Sequence, residues 1–370
     1  MDSLLGITYG DWKALLTEEG NVVEKEYKKR KRLLTLFSLL NSRYKKKEED
    51  RFGHKIESAE IKAPIFILGH WRSGTTLLHN ILCKDEQFGF PNKFQISHPH
   101  SFLIREAAVQ KAMKNAAAQK RHMDNVEVSY DSPDEDETAI SMMSQRSPII
   151  GWAFTKNQRK YAKYHTFDEV DQNDLERWKR AMITFYKKLS FRYDRPLVLK
   201  SPVHLGRMKI FHELFPDARF IHIYRDPYRV YQSTKKLYTT VLPHTCFQEP
   251  ILADWEDYII ENYKTMYDRF WHDRAVIPAA QVYEIKYEEF EKDIYRNTAA
   301  IYEYFNLHGF FKFEPLLKRY TESIANYQKN KFESLAEREL IRINSAWHQS
   351  FEKGRYDKIE PSKEMKASAS

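Results

Sequence analysis

The stretch Pro64-Ile-Phe-Ile-Leu-Gly-His-Trp-Arg-Ser-Gly-Thr-Thr-Leu-Leu-His79 joins an apolar run to a turn bracketed by glycines and then to a helical pattern. Such a strand, turn and helix bind phosphate in many α/β proteins, because backbone N–H groups at the helix start point towards the anion. Gly69 and Gly74 have the spacing of a Walker A loop, but Thr75 occupies the position of its lysine. The sequence therefore argues against ATP or GTP hydrolysis. Arg72 is the cation that the loop offers to phosphate or sulfate oxygens instead.

Three more short apolar runs occupy residues 195–200, 218–224 and 281–285. Helical patterns separate these runs, which predicts an α/β fold: a P-loop-like, doubly wound parallel sheet flanked by helices. Ligands of such sheets bind beyond the carboxyl ends of the strands. We therefore expect the loops that start at Gly69, Lys200 and Arg225 to face one crevice.

The chain divides into three predicted parts: a helical N-terminal extension at 1–60, an α/β domain at 61–356 and a flexible tail at 357–370. The net charge is +8, and much of the basic excess lies in residues 25–51, where leucines recur at helical spacing. This pattern predicts a solvated amphipathic helix packed on the domain. Peripheral membrane contact is the alternative, because basic residues beside an apolar stripe also favour a bilayer surface. Nucleic-acid binding is not expected, since no stacking motif accompanies the charge.

Cys83 and Cys246 lie far apart in the sequence and form no CxxC pair. This predicts neither a disulfide framework nor a zinc site. The N-terminus lacks the charged and apolar regions of a signal peptide. No apolar run approaches the roughly 18 residues of a membrane span. We therefore expect a soluble, cytoplasmic protein.

Arg225 directly follows the apolar run at 218–224, and Ser233 follows eight residues later within a helical pattern. Eight residues are about two turns of a helix, so both side chains belong to the same face. An arginine and a hydroxyl held together predict a second phosphate site beside the first.

The loop at 69–76, taken with Arg225 and Ser233, resembles the donor-binding pair of sulfotransferases that use 3′-phosphoadenosine 5′-phosphosulfate (PAPS). Leu199-Lys-Ser-Pro-Val-His-Leu205 and Phe215-Pro-Asp-Ala-Arg-Phe-Ile221 are also similar to segments of this family. The resemblance covers residues 64–305 and is to the branch with an arginine in the first loop, which includes bacterial enzymes and the tyrosylprotein sulfotransferases. It implies transfer of a sulfuryl group from PAPS to a hydroxyl, release of adenosine 3′,5′-bisphosphate, and no metal.

The resemblance also assigns roles to individual residues. The first loop would hold the 5′-phosphosulfate, and the Arg/Ser pair would hold the 3′-phosphate. The donor-binding residues implied in this way are Arg72, Ser73, Gly74, Thr75, Thr76, Arg225, Ser233, Tyr287 and Lys331. Tyr287 would lie near the adenine, and Lys331 would close over the donor. Arg72 and Lys200 would act as the catalytic cations, with Lys200 near the leaving oxygen.

The general base is predicted less directly. Related branches place a glutamate some twenty to thirty residues after the loop cation, but here Lys93 occupies the near end of that window and His100 the far end. An imidazole suits proton transfer near neutral pH, so His100 is the first candidate. The alternatives are His98, His204, Glu135 and Glu137, of which Glu137 joins the predicted catalytic set. The acidic segment 131–137 also has the pattern of a helix start.

The acceptor is predicted from the aromatic and apolar residues expected to cover the crevice. These are Phe88, Phe90, Phe94, Phe102, Met142, Met143, Ile149, Ile150, Trp152 and Phe154. They favour a lipophilic acceptor such as a sterol, a steroid, a lipid alcohol or a phenol, although each could instead belong to the core. A carbohydrate or glycolipid acceptor is the alternative. A small-molecule P-loop kinase and a non-catalytic nucleotide-binding protein are the alternatives of another class.

Overall fold

The computed structural model describes residues 4–113, 119–120, 127–250, 255–325 and 332–360. The strands in these residues are β1 (Ile65–Leu68), β2 (Gln119–Lys120), β3 (Glu127–Val128), β4 (Val198–Lys200), β5 (Arg219–Tyr224) and β6 (Val282–Lys286). Four of them form a parallel sheet in the order β4-β1-β5-β6, while β2 and β3 form a separate antiparallel pair. The predicted α/β fold with a parallel sheet is confirmed, and its four strands lie within a few residues of the predicted runs.

Strand β1 lies between β4 and β5 in the sheet. Phe66 is paired with Leu199 of β4 on one side and with Phe220 of β5 on the other. Because all three strands run in the same direction, their carboxyl ends lie side by side at one edge. The loops that follow them are therefore brought together, as expected of a doubly wound sheet.

Both faces of the sheet are buried. Phe66 and Leu68 belong to a large core cluster on one face, whereas Ile65 and Ile67 belong to a second cluster on the other. Successive side chains of a strand point to opposite faces, so a strand buried on both sides is apolar throughout. This explains why β1 has no polar residue.

Helices cover the two faces. They are α1 (Tyr9–Thr17), α2 (Lys28–Glu57), α3 (Thr75–Leu82), α4 (Lys93–Ser97), α5 (Phe102–Met113), α6 (Asp136–Ser144), α7 (Ile150–Ala153), α8 (Gln158–Ala162), α9 (Gln172–Tyr193), α10 (Met208–Leu214), α11 (Pro227–Thr245), α12 (Trp255–Arg274), α13 (Tyr287–Lys292), α14 (Ile294–Tyr304), α15 (Phe310–Ile324), α16 (Glu337–Ala346) and α17 (His348–Gly354). Short 3-10 turns lie at Lys25–Tyr27, Thr155–Asn157, Lys163–His165, Pro202–Arg207 and Ala279–Gln281. None of the described helices is both long enough and apolar enough to cross a bilayer.

The N-terminal helices share the main core. Leu4, Trp12 and Leu34 lie in the same apolar cluster as Phe66. The indole Nε1 of Trp12 also donates a hydrogen bond of 3.0 Å to the hydroxyl of Thr35, which joins α1 to α2. The division of the chain at residue 60 stays a prediction, and most of the predicted tail lies outside the described residues.

Two buried histidines next to β1 make stability depend on pH. Burial lowers the pKa of His70 to about 4, against a hydrogen bond with the carbonyl of Trp71. Burial, with a smaller effect of the charge of Lys200, lowers the pKa of His79 to about 3. In the unfolded chain both titrate near 6.5. Between about pH 6.5 and pH 4 the unfolded chain therefore binds more protons, and the free energy of unfolding falls as the pH falls.

We expect the urea midpoint to decrease between about pH 7 and pH 5, because the free energy of unfolding falls by up to about 1.4 kcal/mol per pH unit for each buried histidine. His79→Asn should reduce this slope, because one titrating group is removed. The same substitution at the exposed His308 should leave it unchanged. A midpoint that stays constant over this range would contradict the burial of neutral imidazoles.

Candidate active site

The loop between β1 and α3 packs closely against neighbouring residues at both of its glycines, Gly69 and Gly74. A Cβ atom at Gly69 would lie 2.4 Å from the carbonyl oxygen of Ile223, and one at Gly74 would lie 2.2 Å from Cδ2 of Tyr287. Gly74 also has a φ of 100°, in the region that side-chain-bearing residues rarely adopt. Only glycine fits at Gly74, where the chain turns into α3 and exposes the N–H groups of the helix start.

The cation of the loop meets the helix that follows β5. Arg72 has a φ of 69°, an uncommon conformation for an arginine. Its Nε donates a hydrogen bond of 2.8 Å to Oγ of Ser233, which is only 4% exposed on α11. Residues 161 positions apart in the sequence are thereby joined at the sheet edge.

Arg225 completes this cluster. Its guanidinium donates a hydrogen bond of 3.3 Å to the carbonyl oxygen of Arg72. The same guanidinium lies 4.3 Å from the ring centroid of Tyr287, at the start of α13. Its Nε is buried and has no hydrogen-bond partner among the described residues. The structure thus brings Arg72, Arg225, Ser233 and Tyr287 together and leaves one buried donor, Nε of Arg225, without a partner among the described residues.

Lys200 ends β4 and is 2% exposed. Its Nζ lies 2.9 Å from Oε1 of Glu135, the residue that precedes α6. The side chain of Glu135 is 25% exposed, so the carboxylate is accessible from solvent. A buried cation and an accessible acid therefore lie in contact at the carboxyl edge of the sheet.

The next two acids have different partners. Asp136 accepts hydrogen bonds from the imidazole of His204 at 2.8 Å and from the hydroxyl of Tyr186 at 2.5 Å. Burial alone would raise the pKa of Asp136, but His204 and Tyr186 outweigh it and hold the pKa below its usual value. Glu137 accepts from Arg207 at 2.8 Å, and both side chains are fully buried. The structure thus encloses Glu137 and His204, two candidates for the base, in buried pairs with Arg207 and Asp136.

His100 lies between α4 and α5. His100 is 7% exposed, and burial lowers its pKa well below 6.5, with additional effects from the charges of Lys188 and Lys45. Lys188 lies on α9 and pairs with Glu48 of α2. The charges that act on His100 therefore come from α9 and α2. His98 bonds to the carbonyl of Phe94, and burial lowers its pKa to about 4.

Most of the residues predicted to cover the crevice lie in the core. The seven buried ones are Phe88, Phe94, Phe102, Met142, Ile149, Ile150 and Phe154. Phe90, Met143 and Trp152 are partly exposed. The ring of Trp152 lies 6.0 Å from that of Trp71, in the phosphate loop, and 5.8 Å from that of Tyr238, on α11. Aromatic rings therefore lie next to the loop cation. Trp71 is not among the predicted site residues, although it directly precedes Arg72 in the sequence.

Two further predictions concern Lys331 and a metal ion. Lys331 lies outside the described residues, so its role stays a prediction. Within the described part of the chain, no group of three or more His, Cys, Asp or Glu side chains is arranged to hold a metal ion.

Comparisons with known proteins show which family the chain belongs to. A model of the Sulfotransferase family matches residues 64–311. The ω-hydroxy-β-dihydromenaquinone-9 sulfotransferases Stf3 of Mycobacterium bovis and Mycobacterium tuberculosis are each 30% identical to this chain, over 96% of it and 92% of their own length.

Among solved structures, sulfotransferase STF9 from Mycobacterium avium aligns with a TM-score of 0.70 and 20% identity, over 95% of this chain and 91% of that one. Sulfotransferase STF1 from M. tuberculosis aligns with a TM-score of 0.63 and 17% identity, over 91% of this chain and 90% of that one. These two show that the fold is shared. With the family match over most of the chain, they lead to one conclusion: this protein is an enzyme of the sulfotransferase family.

Proposed function

We propose that this sulfotransferase moves the sulfuryl group of PAPS to the hydroxyl of a small lipophilic acceptor. The observation that carries the proposal is the meeting of Arg72, Arg225 and Ser233 beside the Lys200–Glu135 pair. The first three offer charge and hydrogen bonds to two phosphate groups. The last two offer a cation and a base at the edge where the acceptor would attack.

The donor would be bound by loops from three neighbouring strands. The 5′-phosphosulfate suits the start of α3, where the N–H groups of Ser73, Gly74, Thr75 and Thr76 and two threonine hydroxyls are available. The 3′-phosphate suits Arg225 and Ser233, because the buried Nε of Arg225 needs a hydrogen-bond acceptor. Tyr287, in contact with Arg225, would lie near the adenine.

The chemical step follows from the charges. The acceptor oxygen forms a bond to sulfur while the bond from sulfur to the bridging oxygen of the donor breaks. Glu135 would take the hydroxyl proton, and Lys200 and Arg72 would offset the negative charge that grows on the leaving oxygen. Glu135 is preferred to His100 as the base, because it is accessible and in contact with Lys200.

A lipophilic acceptor is supported by two observations. The partly exposed Trp152 packs against Trp71, which directly precedes the loop cation in the sequence. The relatives at 30% identity are named for a hydroxylated menaquinone derivative, which is a lipid with a hydroxyl group. A cytoplasmic location for the reaction stays a prediction.

Calorimetric titration with adenosine 3′,5′-bisphosphate tests the donor site. We expect binding that needs the 3′-phosphate, so 5′-AMP and ATP should bind more weakly. Arg225→Ala should weaken binding by about tenfold or more, and Ser233→Ala by less, because hydrogen bonds to charged groups are the stronger ones. Thr239→Ala, an exposed position on the same helix, is the matched control. Preference for ATP would instead favour a kinase.

Glu135→Gln tests the base. Its kcat should fall by about 10²-fold or more while the bisphosphate still binds, because only proton transfer is lost. Glu137→Gln should instead lower the free energy of unfolding by about 3–5 kcal/mol, since it leaves Arg207 buried and uncompensated. His100→Gln should keep its kcat. A large loss of kcat in His100→Gln with normal turnover in Glu135→Gln would restore His100 as the base.

A panel of sterols, long-chain alcohols, phenols and sugars tests the acceptor, with sulfated products identified by mass spectrometry. We expect the lipophilic alcohols or phenols to be turned over. Trp152→Ala should raise their KM by about tenfold without changing affinity for the bisphosphate, because it removes aromatic surface only from the acceptor side. Turnover of sugars alone would exclude the lipophilic acceptor.

A further inference from the structure

An apolar stripe is exposed in the middle of α2. The stripe consists of Leu33, Leu36, Phe37 and Leu40, whose exposed fractions are 53%, 61%, 38% and 46%. Their spacing places them on one face of the helix. With Leu39 they are five of the twelve large apolar side chains that are exposed in the described residues. The α2 stripe is therefore the main concentration of exposed apolar surface in that part of the chain.

The opposite face of α2 fixes this orientation. Leu34 is 2% exposed and Ser38 is fully buried. The side-chain amide of Asn41 donates hydrogen bonds of 2.8 Å and 3.0 Å to the carbonyls of Leu5 and Ile7. These contacts hold α2 against the N-terminal segment, so the helix cannot turn its stripe towards the core.

The α2 stripe lies within a purely basic stretch. Residues 28–47 contain nine Lys or Arg and no Asp or Glu. Lys29 precedes the stripe and Arg43 and Lys47 follow it, each three or four residues from its neighbour along the same face, and all three are exposed. The row from Lys29 to Lys47 is about 27 Å long at 1.5 Å per residue. Cations therefore border the apolar surface at both ends.

We propose that α2 docks this protein on the surface of an anionic lipid bilayer. The leucines would enter the boundary between headgroups and acyl chains, while the flanking lysines and arginines would contact lipid phosphates. An anionic bilayer would contact both the leucines and the flanking cations. A nucleic acid would bind the cations but would leave the leucines exposed to water. Affinity should rise with the fraction of anionic lipid and fall with salt.

Docking would be connected to the donor site through α11. The guanidinium of Arg30 donates hydrogen bonds of 2.8 Å and 3.0 Å to the carbonyls of Cys246 and Thr245, where α11 ends. Ser233 lies on the same helix. Docking also places the enzyme where a lipophilic acceptor would be dissolved. Both of these consequences rest on the proposed function, whereas the docking itself does not.

A fluorescent label on α2 tests the contact directly. Cys83 and Cys246 are both buried, so Leu36→Cys can be labelled selectively with an environment-sensitive dye. We expect a blue shift of its emission with vesicles of phosphatidylcholine and phosphatidylglycerol, and little shift with phosphatidylcholine alone. The same label at Val276→Cys, which is 64% exposed and distant in sequence, should not respond.

Sedimentation with the same vesicles measures the affinity. The variant Leu33→Gln/Leu36→Gln/Leu40→Gln should bind anionic vesicles about tenfold more weakly or worse, because the apolar contact is lost. Val276→Gln/Phe311→Gln changes equally exposed apolar residues elsewhere and should bind like the parent. The stripe variant should keep its thermal midpoint and its affinity for adenosine 3′,5′-bisphosphate.

Three results would overturn the proposal. They are parent protein that stays in solution with anionic vesicles, equal binding by the stripe variant, and a blue shift that depends on protein concentration rather than on lipid. The last result would indicate a second copy of the chain as the partner. Because bisphosphate affinity is measured on the same proteins, failure of docking can be told apart from failure of the donor site.

Discussion

The hydrogen bond from Arg72 to Ser233 depends on the parallel pairing of β1 with β5, and the rest of the site depends on the same arrangement. Each strand of the four-stranded sheet supplies one part at its carboxyl end. The loop after β1 supplies a cation, β4 ends in Lys200, β5 leads into Arg225, and β6 leads into Tyr287. The pairing register of the sheet fixes the positions of the strand ends. Residues from separate parts of the chain can therefore be held together in one site.

The sheet and the meeting of Arg72, Arg225 and Ser233 at its edge were predictable from the sequence, because their signals are local. A buried parallel strand is a short apolar run, and a phosphate loop needs glycine where the backbone turns. Gly74 and the Arg225–Ser233 spacing are features of this kind. Contact across the sheet then follows from the rule that parallel strands end at one edge. The position of Lys200, at the end of β4 and at the same edge of the sheet, was predictable for the same reason.

The partners of the acidic residues were not predictable, because residues close together in the sequence can differ only in the direction in which their side chains point. Glu135 and Glu137 are identical in chemistry, and only the packing of α6 places one against Lys200 and the other against Arg207. His100 is a similar case. Its imidazole is buried and is affected by the charges of Lys188 and Lys45, which lie on two helices far apart in the sequence. Aromatic residues show the same limit, since the core and a crevice use the same side chains.

Two buried pairs, Asp136 with His204 and Glu137 with Arg207, bear on whether α6 can pack in only one orientation. Apolar residues of similar volume in place of Asp136, Glu137, His204 and Arg207 could fill the same space with equal stability, because burying charge is expensive. Such a core would accept several rotations of α6 about its axis. The polar pairs accept only the rotation in which Asp136 meets His204 and Glu137 meets Arg207. We infer that these pairs fix the rotation of α6 about its own axis, at some cost in stability. As a result Glu135, the residue before the helix, always faces the same way.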